Sequence, residues 1–250
     1  MNYNNVNIYR NKDTKKGAGL YKKTRAIALV VLGVLVFVII FSMVFKTKVF
    51  KLDKKEYYGV NVGCYASEAT AIYFASSVKN RGGCGGIVKE DNQFHVFAAV
   101  YNSKADASSV AAKIAETDED ASVYTFTLPK IKIKISEGNR AIITNALSLF
   151  EEQLTALLDL AVEFDNNNIN GNDIVIEVIQ MIAEIDAAVS LFNKIMGEEE
   201  DSAIKDILAA FSSQKLSLKQ LSHNVIKSFE IKTVYFDILL INLNLREKFS

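Results

Sequence analysis

From Ala26 to Phe45 the sequence reads AIALVVLGVLVFVIIFSMVF, twenty residues without a charge. At about 1.5 Å per residue, a helix of that length covers about 30 Å, the thickness of a bilayer's hydrocarbon core. A cleaved signal has a shorter apolar stretch that ends in small residues, whereas Lys46-Thr47-Lys48-Val49-Phe50-Lys51 follows here. A core helix of a soluble domain shows a polar face, and this run has none. The expectation is a retained single transmembrane helix over residues 26–45, with the rest of the chain at work beside a membrane.

The flanks set the expected orientation. Residues 1–25 carry Arg10, Lys12, Lys15, Lys16, Lys22, Lys23 and Arg25 against Asp13 alone. On the other side, Lys46, Lys48, Lys51, Lys54 and Lys55 are diluted by Asp53 and Glu56. Flanking basic charge stays cytoplasmic. This predicts a single-pass cell-membrane protein with a cytoplasmic N-terminus and extracytoplasmic C-terminal domains. Residues 1–25 lack the apolar residues for a core and read as a disordered basic tail. Residues 46–55 read as a linker. Over the whole chain 29 basic residues balance 29 acidic ones. No basic stripe stands clear of the apolar run, so nothing argues for nucleic acid as a partner.

Residues 56–128 alternate between strand and helix patterns. Tyr57-Tyr58-Gly59-Val60-Asn61-Val62-Gly63 has the period of a half-buried strand. Ser67 to Arg81 carries Ala71, Phe74, Ala75 and Val78 at helical spacing, and Gly82-Gly83 stops it. Ile87-Val88-Lys89 is a short strand, Glu90-Asp91-Asn92-Gln93 a hairpin turn, and Phe94 to Tyr101 an aromatic-rich strand. Ser103 to Glu116 is a second helix on Ala107, Val110, Ala111 and Ile114, and Ser122 to Leu128 a last strand. The order β-α-β-β-α-β is the ferredoxin-like arrangement. In it, two helices cover one sheet face and leave the other open. Val60, Val62, Val96 and Ala98 then point to the helices. Tyr57, Gly59, Asn61, Gln93, His95 and Phe97 line the open side.

Pro129 closes this unit, and residues 129–135 are a linker or an edge strand guarded by lysines. Residues 136–250 change to a helical period. Ile142, Ala146, Leu149, Phe150, Leu154, Leu157, Ala161 and Phe164 form one stripe. Ile174, Val178, Met181, Ile182, Ile185, Val189, Phe192 and Ile195 form a second. Ile204 to Phe211 suggest a third, shorter helix, and Leu218, Leu221, Val225 and Phe229 begin a fourth. Phe229 to Leu245 is rich in β-branched and aromatic residues, which weakens its helical reading. The expected fold class is therefore α+β: a single transmembrane helix, a ferredoxin-like βαββαβ domain and a C-terminal α-helical bundle.

Two stretches carry a resemblance. Val60-Asn61-Val62-Gly63-Cys64-Tyr65 resembles the V-Q-V-G-S-F of the SPOR domain family, the sporulation-related repeat of bacterial envelope proteins. Phe94-His95-Val96-Phe97-Ala98-Ala99-Val100-Tyr101 resembles its Y-R-V-x-V-G-P-F. The resemblance covers residues 56–128, under a third of the chain. It implies a bitopic envelope protein that binds peptidoglycan glycan strands, preferring strands stripped of stem peptides at division or sporulation septa. An open sheet face with amides and rings suits such a polymer, since amides pair with hydroxyls while rings stack on pyranose faces. The implied glycan-binding residues are Tyr57, Asn61, Cys64, Gln93, His95 and Phe97. Asn61 stands where the family has Gln, Cys64 where it has Ser, and His95 where it has Arg. Asn is shorter than Gln, and His is no permanent five-donor cation. Ala99-Val100 replaces Gly-Pro.

Other chemistry is not signalled. His95 and His223 have no Cys or His at ligand spacing, so no metal is expected. Gly82-Gly83-Cys84-Gly85-Gly86 is followed by no Gly-Lys-Ser/Thr and reads as a turn. Glu151-Glu152 and Glu198-Glu199-Glu200 read as solvated helix ends or faces. No enzyme activity and no cofactor are expected. Cys64 and Cys84 fall at opposite ends of the expected sheet and read as unpaired thiols. The alternative function is a membrane-tethered scaffold. There the helical region docks a division or sporulation partner, or a second copy, and the mixed domain is only a spacer whose open face the bundle or Lys130 to Ile135 is free to cover.

Overall fold

The computed structural model of the protein describes residues 50–117, 120–133, 137–195, 202–223 and 225–250. Within them, β1 (Phe50–Leu52) precedes β2 (Lys55–Tyr65), α1 (Glu68–Asn80), β3 (Gly86–Glu90), β4 (Gln93–Tyr101), α2 (Lys104–Ala115) and β5 (Ser122–Leu128). Then come β6 (Ile131–Ile133) and four helices: α3 (Glu137–Asp165), α4 (Gly171–Ile195), α5 (Ser202–Lys219) and α6 (Ser228–Glu247). Strands β3, β4, β2 and β5 form one antiparallel sheet in that order. Asp91 and Asn92 turn the β3–β4 hairpin at φ 46° and 61°, a conformation their short polar side chains tolerate. The Ser103 hydroxyl caps α2 by accepting from the Asp106 N–H at 3.3 Å.

The sheet has two buried faces. On one, Val60, Val96 and Ala98 pack with Ala71, Ala75 and Val78 of α1 and Ala107, Ala111 and Ile114 of α2. On the other, Tyr57, Phe97, Phe126 and Leu128 join the core of the helical region. The element that joins them is α6, which packs on β3, β4 and β5 as well as on α3 and α5. Phe236 of α6 lies 5.6 Å from the Phe97 ring and 5.9 Å from Phe126, centroid to centroid. Two glycines admit these rings. A Cβ on Gly86 would stand 2.5 Å from Phe236, and one on Gly59 2.7 Å from Phe126. Both approaches are closer than any side-chain carbon tolerates.

The helices bury their stripes against one another. Phe150 of α3 stacks on Phe211 of α5 at 4.6 Å. The stripe is crossed by one polar seam, in which Gln214 Nε2 donates to Gln153 Oε1 at 2.7 Å. Gln153 Nε2 in turn donates to the Met181 carbonyl at 3.0 Å, so α3, α4 and α5 share one network. At the far end of α6, Arg246 is fully buried. Its guanidinium donates to the Asp53 carbonyl at 3.0 Å and the Pro129 carbonyl at 3.4 Å, and it pairs with Glu151 of α3. One side chain thus ties the β1–β2 and β5–β6 connections to the bundle.

This architecture corrects the expected fold class. Six helices dominate the described residues, and they sandwich a small sheet instead of leaving an open-faced βαββαβ domain beside a separate bundle. The physical reason is the sheet's second face, whose four large apolar side chains needed a cover. The expected transmembrane helix and single-pass membrane location, with cytoplasmic N-terminus, are corrected to what the described residues show. Among the described residues no helix is long and apolar enough to cross a membrane. Ala26–Phe45 and the basic tail lie outside the described residues, as does Glu198-Glu199-Glu200. The 129–135 segment pairs as a strand, Ile131–Ile133 against Leu52–Phe50 of the expected linker. Leu218 belongs to the third helix of the bundle, and the fourth begins at Ser228. Glu151 is half-buried in an ion pair, not part of a solvated run.

Candidate functional site

The residues on the second sheet face divide into two groups. Tyr57 and Phe97 are 2 % and 0 % exposed under the bundle, which removes them from any binding surface. Asn61, Cys64, Gln93 and His95 gather at the end of β2 and β4 that α6 does not cover. There Cys64 and Gln93 are exposed and Asn61 and His95 half-buried.

The geometry of this cluster is specific. The Gly63 N–H donates to Asn61 Oδ1 at 3.0 Å, which turns the amide so that Nδ2 donates to His95 Nδ1, also at 3.0 Å. Accepting at Nδ1 places the imidazole proton on Nε2. Nε2 lies 3.8 Å from Cys64 Sγ, whose S–H donates to Gln93 Oε1 at 3.0 Å. Strict alternation would put Asn61 and Cys64, three apart, on opposite faces. The β2–β4 register shifts on either side of Asn61, and this bulge aims both side chains at the same histidine.

Tyr124 of β5 flanks the cluster, its ring 6.0 Å from His95 and 5.4 Å from Phe97. Burial, helped by a hydrogen bond to Glu90, raises its hydroxyl pKa and keeps it neutral. An aromatic row therefore runs from the exposed cluster through Tyr124, Phe97 and Phe126 to Phe236. Sequence reasoning had not placed Tyr124 at the site. The signal was there in the alternation of Tyr124, Phe126 and Leu128. Tyr124 sits in register with Gly59, and Phe126 with Tyr57.

Chemically the cluster offers amide, imidazole and thiol groups beside a ring whose hydroxyl bonds the Glu90 carboxylate. Among the described residues no group of three or more His, Cys, Asp or Glu side chains is placed to hold a metal. Cys84 is elsewhere and inert. It is 1 % exposed, its thiol donates to the Phe97 carbonyl at 3.0 Å, and burial pushes its pKa up to about 11. Both cysteines are unpaired. At pH 8 an alkylating reagent should therefore label Cys64 and spare Cys84 until denaturant is added, read by mass spectrometry. Labelling of both thiols in the native chain would contradict this burial. The raised pKa also has a sign for stability. Its contribution is complete below the ordinary thiol value of 9.0 and is lost as pH rises through about 11.

Comparison of the sequence with protein families gives no matching family, and comparison with curated proteins gives no match. Among solved structures, the chain is similar to the solution structure of the peptidoglycan binding domain of the B. subtilis cell wall lytic enzyme CwlC. The identity is 24 % over 33 % of this chain and 99 % of that one, with a TM-score of 0.27. A likeness at that score carries no argument about function.

Proposed function

We propose that this chain is a non-catalytic glycan-binding protein whose contact surface is the uncovered end of the sheet, with peptidoglycan strands as the polymer bound. The observation that carries the reading is the hydrogen-bonded cluster of Asn61, His95, Cys64 and Gln93 beside the Tyr124 ring. Fixed amides and an imidazole pair with hydroxyl and N-acetyl groups, and a neutral ring stacks on a pyranose face. The motif resemblance of Val60–Tyr65 and Phe94–Tyr101 to SPOR domains supports peptidoglycan as the polymer. It extends the reading to strands stripped of stem peptides.

The test is sedimentation of the full chain with purified peptidoglycan, intact and amidase-treated. Wild type should pellet, more so after amidase. An Asn61→Ala, His95→Ala double variant should bind about tenfold more weakly, since two hydrogen-bonding groups are lost. Pelleting that the double variant leaves unchanged would defeat this assignment of the face.

One observation favours a second reading, a scaffold in which the sheet unit is structural. Phe236 occupies the middle of the face that an open glycan groove would use. Background pelleting by a folded wild-type chain would select that reading.

A further inference from the structure

We infer that α1 carries an aromatic platform that continues the glycan contact around the end of β2. The inference rests on the glycan-binding reading above and adds a second subsite to it. The inner face of α1 is spent on Ala71, Ala75 and Val78. Its outer face presents three consecutive large apolar residues, Ile72, Tyr73 and Phe74, exposed by 51 %, 72 % and 40 %. The two aromatic rings among them are organised. Phe74 stacks on Tyr65 at 4.6 Å with planes 11° apart, and Tyr73 meets Phe74 edge-on at 5.5 Å.

Beside the rings lies a cleft of about 440 Å³, between Cys64 and Tyr65 on β2 and Phe74, Ser77 and Arg81 at the end of α1, with Asp120 lining it as well. The topology opens it. Strand β5 pairs with β2 only as far as Asn61, while β2 continues to Tyr65. Cys64 lines this cleft and also contacts Gln93 and His95, so it belongs to both surfaces. A polymer lying on the polar cluster is therefore carried over the strand end onto the rings. The chemistry fits a sugar better than an apolar partner. A ring face receives the C–H side of a pyranose, while Ser77, Arg81 and Asp120 supply hydrogen-bonding groups for its hydroxyls.

The experiment is the same sedimentation of the full chain with purified peptidoglycan, now as a concentration series, with Tyr73→Ser, Tyr73→Phe and the Asn61→Ala, His95→Ala variant. Tyr73 is mostly exposed, so neither substitution at it should disturb the fold. Tyr73→Ser should weaken binding about three- to tenfold, and Tyr73→Phe, which keeps the ring, should bind as wild type. If Tyr73→Ser binds as wild type while the double variant does not, the platform is refuted and the polar cluster stands alone. If wild type does not pellet, both readings fall. Sedimentation velocity of the chain alone closes the remaining alternative. A dimer that Tyr73→Ser splits would assign the rings to a second copy and overturn the proposal.

Discussion

Replacing Phe236 by alanine is expected to destabilise the protein by about 3–5 kcal/mol, the usual cost of deleting a buried phenyl ring. Phe236 is 2 % exposed and stands within 6 Å of the rings of both Phe97 and Phe126, so its loss leaves a void where the bundle meets the sheet. In a chain of this length that corresponds to a fall in melting temperature on the order of 10 °C. Denaturant unfolding followed by circular dichroism reads it directly. The void cannot close easily, because Gly86 and Gly59 sit beneath the rings with no side chain to fill it. Phe236→Leu should cost clearly less than the alanine. A Phe236→Ala variant within 1 kcal/mol of wild type would mean that α6 does not hold the sheet as described.

Arg246 should show an effect of the same size for a different reason. Its guanidinium is fully buried and divides its donors among Glu151 and the carbonyls of Asp53 and Pro129. Burial disfavours the charged form and lowers its pKa, and the paired Glu151 carboxylate holds the cation in place. Arg246→Ala leaves the Glu151 carboxylate, only 26 % exposed, with Lys55 Nζ at 3.6 Å as its remaining cation and two carbonyls without their donor, a loss of about 3 kcal/mol. Arg246→Lys is the sharper variant. It keeps the charge but cannot present a planar fork to three acceptors, and should still lose about 1–3 kcal/mol in the same denaturant assay. A lysine variant indistinguishable from wild type would show that only charge matters there.

These two residues lie on α6, the segment whose reading from sequence was weakest. Ile231, Val234, Tyr235, Phe236, Ile238 and Leu239 are buried in close succession because the helix is enclosed by the sheet on one side and by α3 and α5 on the other. A helix covered that way loses the single apolar stripe by which helices are recognised. The candidate site was partly legible for a comparable reason. Alternation correctly put Asn61, His95 and Phe97 on one face and Val60, Val96 and Ala98 on the other. It could not say that a helix from more than 130 residues downstream would cover Phe97 and spare His95. Nor could a period of two foresee the bulge that brings Cys64 to His95.

By itself, then, the sequence determined what is local: where strands and helices run along residues 56–128, which side of each strand is apolar, and where the stripes of α3 and α4 lie. Those follow from periods of two and 3.6 and from turn residues, which act over a few positions. Only the tertiary structure decided that the second face of the sheet is closed, that Tyr57 and Phe97 are core, that Glu151 serves a buried arginine, and that an exposed cluster survives at one end. Each of those depends on which distant apolar surfaces meet. Burial is settled by the whole set of surfaces competing for cover, and not by the pattern of any one segment.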